Sequence, residues 1–487
     1  MDSKVRTRFA PSPTGYMHIG NLRTALYAYL FAKASKGDFI LRIEDTDRAR
    51  YVADAVDFIK NTLNAAKIIP DEGPDIGGSY GPYVQSERMD IYKKYAEELV
   101  EKGYAYRCFC QAEEGHTSGG FGGYDRTCRN LSPEEIQRNL DEGKPYVIRQ
   151  KMPLTGETSY NDVLHGNVTI PNSELEDQVL LKRDGMPTYN FANVIDDHLM
   201  KVTHIIRGTE FITSTPKHVL LYQAFGWELP VFIHLAPVMG QNEDGSTSKL
   251  SKRHGATSFD DLTKMGYLPE AITNYVALLG WNPKNTNQEI FTMEELMERF
   301  SLEGLSKSPA VFDYNKLNWM NGEYFKQMDD EKFAAIAKPF AGELDENLSA
   351  KWSYLATLLK PRISRLNEIP DNIRFLMEMP AFDASLYNNK RNKVTPEKSL
   401  EILPSAIDML ESVEESDWNI DGLNERIHAY VEASGQKTGL IMWPMRISVS
   451  GQTVTPGGVT EILYLLGKKT SLERMKESLS HLKGGAL

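Results

Sequence analysis

The chain has 487 residues, 41% of them hydrophobic and 10% aromatic, which is enough for several buried cores and suggests about three or four domains. Its formal net charge of −12 argues against a nucleic-acid partner, although a local basic patch on an acidic protein can still bind one. No apolar run is long enough to span a bilayer, so we expect no membrane partner. Three cysteines form no disulfide framework, and the first residues lack the apolar segment of a secretory signal, so we expect a cytoplasmic protein.

The first part of the chain predicts a strand, a glycine-containing loop, a helix and a second strand. Residues 5–10 alternate in polarity, and the prolines and glycine of residues 11–15 interrupt that pattern. Apolar residues recur at helical spacing over 22–29, Gly37 is a candidate C-terminal cap, and residues 39–43 form a short apolar strand. This order is typical of a βαβ unit, which builds a parallel sheet that binds nucleotides beyond the carboxyl ends of its strands.

Sheet-like segments return later, at residues 202–206 and 231–235. The stretch between these segments and the βαβ unit, about 86–189, differs in character because it contains all three cysteines, a glycine-rich run and a hairpin signal around Asp184-Gly185, and it predicts an insertion. Beyond residue 260 helical patterns dominate, at 331–340, 400–412 and 471–482. We therefore predict an α/β chain: a Rossmann-like parallel-sheet catalytic domain with an inserted α+β domain, followed by an all-helical C-terminal half.

The first candidate site motif is His18-Ile19-Gly20-Asn21, at the start of the predicted helix. A helix N-terminus offers unpaired N–H groups and the positive end of the dipole to phosphate, His18 adds a donor, and Gly20 lets the backbone approach a nucleotide closely. A tetrapeptide alone is a weak signal, and a helix-start histidine without a ligand is the common alternative.

The second motif is Lys249-Leu250-Ser251-Lys252-Arg253. Two lysines three residues apart suit a loop that closes over phosphates, because ammonium groups act as compact point charges. Alone, a solvated basic loop is the ordinary alternative. The two motifs in one chain, the first in a βαβ loop and the second after the last predicted sheet strand, favour nucleotide chemistry.

Together these segments resemble the two signature motifs of the class I aminoacyl-tRNA synthetases, whose consensus forms are His-Ile-Gly-His and Lys-Met-Ser-Lys-Ser. The chain departs from them at Asn21, Leu250 and Arg253, substitutions that the glutamate-specific branch commonly shows. Longer strings typical of that branch run from near the N-terminus far into the chain: Arg8–Gly15, Arg42–Asp47, Tyr189–His198 and Trp319–Gly322.

The resemblance implies a two-step reaction in which L-glutamate is activated with ATP and Mg²⁺ to glutamyl-adenylate and then transferred to the 3′ end of tRNA-Glu, by a monomer of the bacterial type. It also implies functions for the domains: residues 1–85 and 190–242 are catalytic, 86–189 bind the acceptor end, 243–325 contact the stem, and 326–487 bind the anticodon in two subdomains with a break near 375. A form that also glutamylates tRNA-Gln is the alternative.

Other functions are less consistent with the sequence. A paralogue that glutamylates a base in tRNA ends soon after the catalytic core, and a glutaminyl enzyme does not need the two arginines described next. A small-molecule nucleotidyltransferase rarely needs 200 further helical residues, and an inactive scaffold does not need intact motifs.

The residues themselves support glutamate, since Arg8 and Arg207 both fall at predicted carboxyl ends of strands, where a parallel sheet binds its ligand. A guanidinium group binds a carboxylate through two hydrogen bonds and disfavours a neutral amide. Surface ion pairs are the alternative. By resemblance the glutamate-binding residues are Arg8, Ala10, Ser12, Glu44, Tyr189, Asn193 and Arg207. Those expected at ATP are His18, Gly20, Glu210, Val238, Lys249 and Lys252, with His18 and Lys252 as the catalytic pair. The sequence identifies no ligands for Mg²⁺.

Three cysteines form a partial zinc signature: Cys108, Cys110 and Cys128. By resemblance, a histidine would stand two residues after the last cysteine, but Asn130 stands there. The candidates for the fourth ligand are Tyr124, whose spacing matches a shorter paralogue, and His116. Three free thiols without zinc are the alternative.

The anticodon-reading residues are the least defined by sequence. The basic cluster Lys360–Arg365 lies in the helical half and resembles the anticodon-reading region, and Arg362 stands where the family reads the last anticodon base. An arginine there favours strict charging of tRNA-Glu. Solvated surface charge is the ordinary alternative.

Overall fold

The computed structural model describes residues 4–15, 17–47, 52, 54–110 and 124–484. It divides into two compact units: residues 1–263 with 269–317, and residues 264–268 with 318–487. The glycine-rich run of the predicted insertion and His116 lie outside the described residues. No described helix is both long enough and apolar enough to cross a membrane.

The described strands all belong to the first unit: β1 Arg6–Phe9, β2 Asp38–Leu41, β3 Ala105–Cys108, β4 Val147–Gln150, β5 Glu157–Asp162, β6 Gly166–Pro171, β7 Val179–Leu181, β8 His204–Gly208, β9 Val231–Leu235, β10 Val238–Gln241, β11 Thr247–Lys249 and β12 Ala310–Val311. Its helices are α1 Ile19–Ala34, α2 Ala55–Ala65, α3 Met89–Glu101, α4 Pro133–Asp141, α5 Tyr189–Leu199, α6 Thr215–Phe225, α7 Phe259–Lys264, α8 Pro269–Ala277, α9 Met293–Arg299 and α10 Tyr314–Gln327, the last of which continues into the second unit.

The predicted βαβ unit is confirmed by β1, α1 and β2. β1 and β2 are parallel, with Arg6 opposite Asp38 and Phe9 opposite Leu41. α1 buries apolar residues on every side, because it lies between these strands and helices of the same unit. The C-cap of α1 is Ser35, two residues before the predicted Gly37, but Gly37 still helps to end the helix, because its N–H donates to the Ala32 carbonyl at 2.7 Å. Gly37 also permits close packing, since a Cβ there would clash with the carbonyl oxygen of Val5.

A four-stranded sheet places β8 and β9 side by side in parallel, with Arg207 opposite His234. β5 adds in parallel to β9, and β6 pairs antiparallel with β5. The β5–β6 hairpin lies within the segment predicted to be an insertion, yet it extends the sheet that contains β8. Every second residue of β5 is buried, and the last of these is Asp162. Asp162 pairs with Phe232 of β9 and so joins the hairpin to the sheet.

The rest of the predicted insertion contains a smaller antiparallel sheet in the order β3-β4-β7. The hairpin predicted around Asp184-Gly185 is reduced to a tight turn: the Lys182 N–H donates to the Met186 carbonyl over 2.8 Å, and Gly185 adopts a positive φ of 81°. This turn closes a single bridge between Leu181 and Pro187 rather than a full hairpin.

The second unit is helical throughout its described residues. After the end of α10 it contains α11 Asp330–Ala337, α12 Glu346–Ala350, α13 Trp352–Leu359, α14 Ile369–Met377, α15 Pro396–Glu411, α16 Ile420–Ser434, α17 Thr438–Ser450, α18 Val459–Leu466 and α19 Lys468–Gly484. The three predicted helices of this half correspond to α11 with its following short turn, α15 and α19. The predicted fold class is thereby confirmed, whereas the functional boundaries within the chain stay predictions.

Candidate active site

A cavity of about 470 Å³ opens beyond the carboxyl ends of β1 and β8, where a parallel sheet is expected to bind its ligand. Eleven of the residues predicted from sequence line it: Arg8, Ala10, Ser12, His18, Gly20, Glu44, Tyr189, Arg207, Glu210, Val238 and Lys249. Two predicted residues, Asn193 and Lys252, do not line it. Asn193 lies buried beneath its wall, and Lys252 lies exposed on a loop.

A buried carboxylate holds one wall of the cavity together. Asp197, on α5, accepts from the Arg8 Nε at 3.1 Å and from an Arg42 amino group at 2.8 Å. Burial alone would raise the pKa of the Asp197 carboxyl, but the two guanidinium groups hold it below its usual range. Asp197 therefore stays ionised and fixes the guanidinium of Arg8 at the cavity.

Glu44 and Asn193 complete this network. The Glu44 Oε1 accepts from Arg42 at 3.0 Å, whereas its Oε2 is buried without a hydrogen-bond partner among the described residues. With its amide oxygen toward the arginines, Asn193 accepts from Arg8 at 3.2 Å and from Arg42 at 3.3 Å, and donates to Asp197 at 3.2 Å. This buried, unpartnered oxygen is a site for a hydrogen-bond donor or a cation, which would offset the burial that raises the pKa of Glu44.

Arg207 is held in a different way, by neutral acceptors. Its guanidinium donates to the Thr215 hydroxyl at 2.8 Å, and its Nε donates to a ring nitrogen of His234 at 3.2 Å. The remaining amino group lies 3.4 Å from Nδ1 of His218, whose pKa is lowered well below its ordinary value by burial and then by the cationic Arg207. Arg207 is buried, and it forms no ion pair with any carboxylate in the described part of the chain. Its charge is therefore available to an anion in the cavity.

His18 stands at the N-terminus of α1, as the motif predicted. Its Nδ1 accepts from the Gly20 N–H over 3.4 Å, so a neutral ring carries its proton on Nε2. Burial, and then the nearby Lys249 cation, lower the pKa of His18, which favours this neutral form. The ring can therefore donate a hydrogen bond to phosphate from Nε2. The Ile19 N–H already donates to the Thr257 carbonyl at 2.9 Å, so the helix terminus contributes mainly the positive end of its dipole.

The two lysines of the second motif lie at the end of the β10–β11 hairpin and on the loop that follows it. Lys249 ends β11 and lines the cavity, whereas Lys252 begins a short turn and is exposed. His254 holds this loop in place: its Nδ1 accepts from the Ser251 N–H at 3.0 Å, and its other ring nitrogen lies 3.0 Å from the Asn242 side-chain oxygen.

The three cysteines converge at one point. The sulfur atoms of Cys108, Cys110 and Cys128 all lie within 4.8 Å of one another. The Tyr124 hydroxyl lies 3.1 Å from the Cys108 sulfur and 3.9 Å from that of Cys110. Asn130 is exposed, in agreement with its exclusion as a ligand.

In the second unit, the predicted tRNA-reading residue Arg362 is exposed just after α13. It forms no ion pair within the described residues. The pKa of Arg446 is lowered, first by the burial of Arg446 and then by the charge of Arg362. An exposed cation without an ion pair suits a polyanion.

Sequence reasoning did not assign a role to Asp197, although a signal was present. Tyr189, Asn193 and Asp197 are spaced by four residues on α5, which places them on one face of the helix. No such signal joins Asp162 to His234, which are 72 residues apart and meet only because β5 pairs with β9.

Comparison with known proteins agrees with this geometry. Residues 4–319 match the family model described as "tRNA synthetases class I (E and Q), catalytic domain", and residues 332–479 match "Anticodon binding domain". The chain is 50% identical to a glutamate–tRNA ligase of Clostridium novyi (strain NT), over 99% of this chain and 98% of that protein. It is 48% identical to that of Clostridium acetobutylicum, over 99% of both chains.

Solved structures of glutamate–tRNA ligases are similar to this chain along its whole length. A glutamate tRNA ligase of Elizabethkingia meningosepticum CCUG26117, crystallised in complex with its amino acid, has a TM-score of 0.86 and 38% identity, covering 99% of this chain and 100% of that chain. The glutamate-tRNA synthetase of Elizabethkingia anophelis has the same TM-score at 37% identity, covering 98% and 100%.

The buried charge network makes a stability prediction. We expect Asp197→Asn to lower the free energy of unfolding by about 3–5 kcal/mol at pH 7, because Arg8 and Arg42 lose their shared anion. Since the pKa of Asp197 is lowered in the folded state, the carboxylate contributes above its unfolded pKa, and its contribution should fade below about pH 4. Urea unfolding of both proteins as a function of pH measures this.

Asp75→Asn is the control, because the Asp75–Lys60 ion pair is exposed and should change stability by less than about 1 kcal/mol. Equal destabilisation by the two substitutions would contradict the importance of the buried network.

Proposed function

The chain belongs to the glutamate–tRNA ligases, class I aminoacyl-tRNA synthetases that use ATP, generally with Mg²⁺, to join glutamate to tRNA, and on this premise we propose which of its residues serve each part of the reaction. The parts are recognition of the amino acid, recognition of ATP, and recognition of tRNA.

The side-chain carboxylate of glutamate binds Arg207 in this proposal. The observation that carries it is the buried guanidinium of Arg207, which faces the cavity with only neutral acceptors around it. Glutamate supplies the missing negative charge, whereas glutamine would leave a buried cation without an anion. Arg8 and Tyr189 complete the carboxylate-binding set, with Arg8 held in position by Asp197. Asn193, which does not line the cavity, is proposed to act through its hydrogen bond to Arg8.

The ammonium group of glutamate binds at Glu44 in the same proposal. The unpartnered Oε2 of Glu44 supports this assignment, because it is an acceptor at the cavity that no described residue satisfies. Ser12 and Ala10 line the cavity as well and are proposed to bound the amino-acid site.

ATP is proposed to lie between the N-terminus of α1 and the lysine loop. His18 and Gly20 meet the phosphates and ribose, Lys249 and Lys252 meet the departing pyrophosphate, and Glu210 and Val238 bound the nucleotide. Lys252 needs a displacement of its loop to do so, since it does not line the cavity here. Glu44 and Glu210 are the carboxylates among the described residues that line the cavity, and neither is assigned to Mg²⁺.

In the first step, an oxygen of the α-carboxylate of glutamate attacks the α-phosphorus of ATP, and the bond between the α-phosphorus and the bridging oxygen of the β-phosphate breaks to release pyrophosphate. In the second step, a hydroxyl of the terminal ribose of tRNA attacks the glutamyl carbonyl, loses its proton, and releases AMP. No side chain acts as a nucleophile. The residues contribute by positioning and by stabilising charge, which are the main sources of catalysis in phosphoryl chemistry. We also propose that the chain acts as a monomer, the state that the family resemblance implies.

Arg207→Gln tests the amino-acid assignment. We expect the KM for glutamate to rise by at least about thirtyfold and the preference for glutamate over glutamine to fall, because a buried charge pair is lost. Aminoacylation assays with both amino acids measure this. Arg138→Gln is the control, since Arg138 is exposed on α4 and remote from the cavity lining. A wild-type KM for glutamate in Arg207→Gln would refute the assignment.

We propose that the chain charges tRNA-Glu and not tRNA-Gln, with Arg362 reading the last anticodon base. The exposure of Arg362 and its lack of an ion pair within the described residues support this. Charging assays with both purified tRNAs should show glutamylation of tRNA-Glu alone, and Arg362→Gln should reduce the difference. Arg374→Gln is the control, because that exposed arginine already pairs with Asp371. Equal charging of both tRNAs by the wild-type chain would contradict the proposal.

We also propose a structural zinc ion at Cys108, Cys110 and Cys128, with the Tyr124 hydroxyl as fourth ligand. The convergence of three sulfur atoms and one hydroxyl at one point fits tetrahedral zinc, whose structural role is to hold the chain rather than to act on substrate. The residues fit the ion, and no step of the reaction depends on it.

Metal analysis after dialysis should find about one zinc per chain, as expected for one four-ligand site. Cys128→Ser should lose it, Tyr124→Phe should bind it more weakly, and Thr127→Ala, an exposed neighbour, should retain it. A wild-type chain that holds no zinc after incubation with excess zinc and dialysis would refute the site.

A further inference from the structure

Behind Arg207 lies a buried acid and base that the reaction itself does not use. Nδ1 of His234 lies 2.7 Å from Oδ2 of Asp162, and both side chains are fully buried. The backbone N–H of His234 donates to the same oxygen at 3.1 Å. The other oxygen, Oδ1, accepts from the N–H groups of Leu164 and His165, each at 2.9 Å. The carboxylate of Asp162 therefore accepts four hydrogen bonds at once.

This arrangement determines the tautomer of His234. An ionised carboxylate can only accept, so Nδ1 of His234 carries a proton. The Nε of Arg207 can only donate, so Nε2 of His234, 3.2 Å away, presents its lone pair. The ring is therefore neutral, in agreement with the lowering of the His234 pKa by burial, despite the opposing effect of Asp162.

We infer that Asp162 and His234 are positioning residues for glutamate specificity: through a neutral imidazole of fixed tautomer they orient the guanidinium of Arg207 without neutralising it. The inference rests on the proposed role of Arg207 as the partner of the substrate carboxylate. A carboxylate in direct contact with Arg207 would orient it equally well but would compete with glutamate. The imidazole of His234 lies between Asp162 and Arg207, so the carboxylate of Asp162 does not compete with glutamate.

The contrast with Arg8 shows why the intervening ring matters. Asp197 contacts Arg8 directly, and much of the charge of Arg8 is balanced within the protein. Arg207 is equally buried, and its described acceptors are all uncharged: His234, His218 and Thr215. The cavity therefore retains one buried cation whose charge an anionic side chain of the substrate can balance.

Asp162→Asn tests the inference because it disturbs the tautomer while keeping the shape. If the amide oxygen stays on the Leu164 and His165 N–H groups, its nitrogen faces His234 Nδ1 and drives the ring proton to Nε2, opposite the Arg207 Nε–H. We expect the KM for glutamate to rise by about tenfold to a hundredfold, as for loss of a hydrogen bond to a charged group. The kcat at saturating glutamate and the KM for ATP should stay near wild type.

Two variants of His234 extend the test. His234→Ala removes the acceptor and should raise the KM for glutamate in the same way. His234→Gln should rescue part of the effect, because its amide oxygen can accept from Arg207 while its nitrogen donates to Asp162. The ratio of kcat/KM for glutamate to that for glutamine should fall in Asp162→Asn and His234→Ala. A general loss of structure would lower kcat and the melting temperature without this selective change.

Asp177→Asn is the matched control. Asp177 is also fully buried in the first unit and accepts from Tyr106, Arg129 and the Met152 N–H, but it does not contact Arg207. The Asp177→Asn variant should be less stable than the wild type but should keep the wild-type KM for glutamate. A KM raised as much as in Asp162→Asn would overturn the inference.

The role of Arg207 and the positioning role of Asp162 and His234 can be tested separately. If Asp162→Asn and His234→Ala both keep the wild-type KM for glutamate while Arg207→Gln raises it, the positioning role is wrong and the function of Arg207 stands. If Arg207→Gln also keeps the wild-type KM, the assignment of Arg207 fails, and the inference fails with it.

Discussion

The active-site wall depends on one buried carboxylate shared by two buried arginines. Asp197 joins α5 to Arg8 at the end of β1 and to Arg42 just after β2. Removing charged groups from water is costly, and the cost is recovered only when each charge is paired with good geometry. Because the three residues lie on three elements, the same interaction that satisfies them also fixes the relative positions of two strands and a helix around the cavity.

The cavity distributes charge unevenly, and this distribution determines what it can bind. Arg8 faces the ligand with its charge balanced from behind by Asp197, whereas Arg207 faces it with only neutral acceptors. Glu44 offers an oxygen that no described residue satisfies. A molecule with an ammonium group and an anionic side chain complements these features. A neutral side chain would leave a buried cation unpaired, which is the more costly state.

The two ends of the site differ in burial. The end assigned to the amino acid is built from buried strands and α5, which suits discrimination between similar side chains because geometry is rigid there. The end assigned to phosphates is built from the helix terminus at His18 and from exposed lysines such as Lys249 and Lys252. Triphosphate is recognised mainly by charge, and a flexible ammonium group can meet it without a preformed pocket.

The sequence by itself determined the βαβ unit and the helical second half, because these depend on local periodicity. Its motifs, through the family that they resemble, also led to eleven of the residues that line the cavity. It also contained the spacing of Tyr189, Asn193 and Asp197, which places all three on one helix face. It did not indicate that β5 leaves the predicted insertion to pair with β9, nor that Gly37 packs against the backbone of Val5. Only the tertiary structure decided which neutral groups surround Arg207, because Asp162 and His234 are distant in the chain and meet through strand pairing, a long-range interaction that no local pattern encodes.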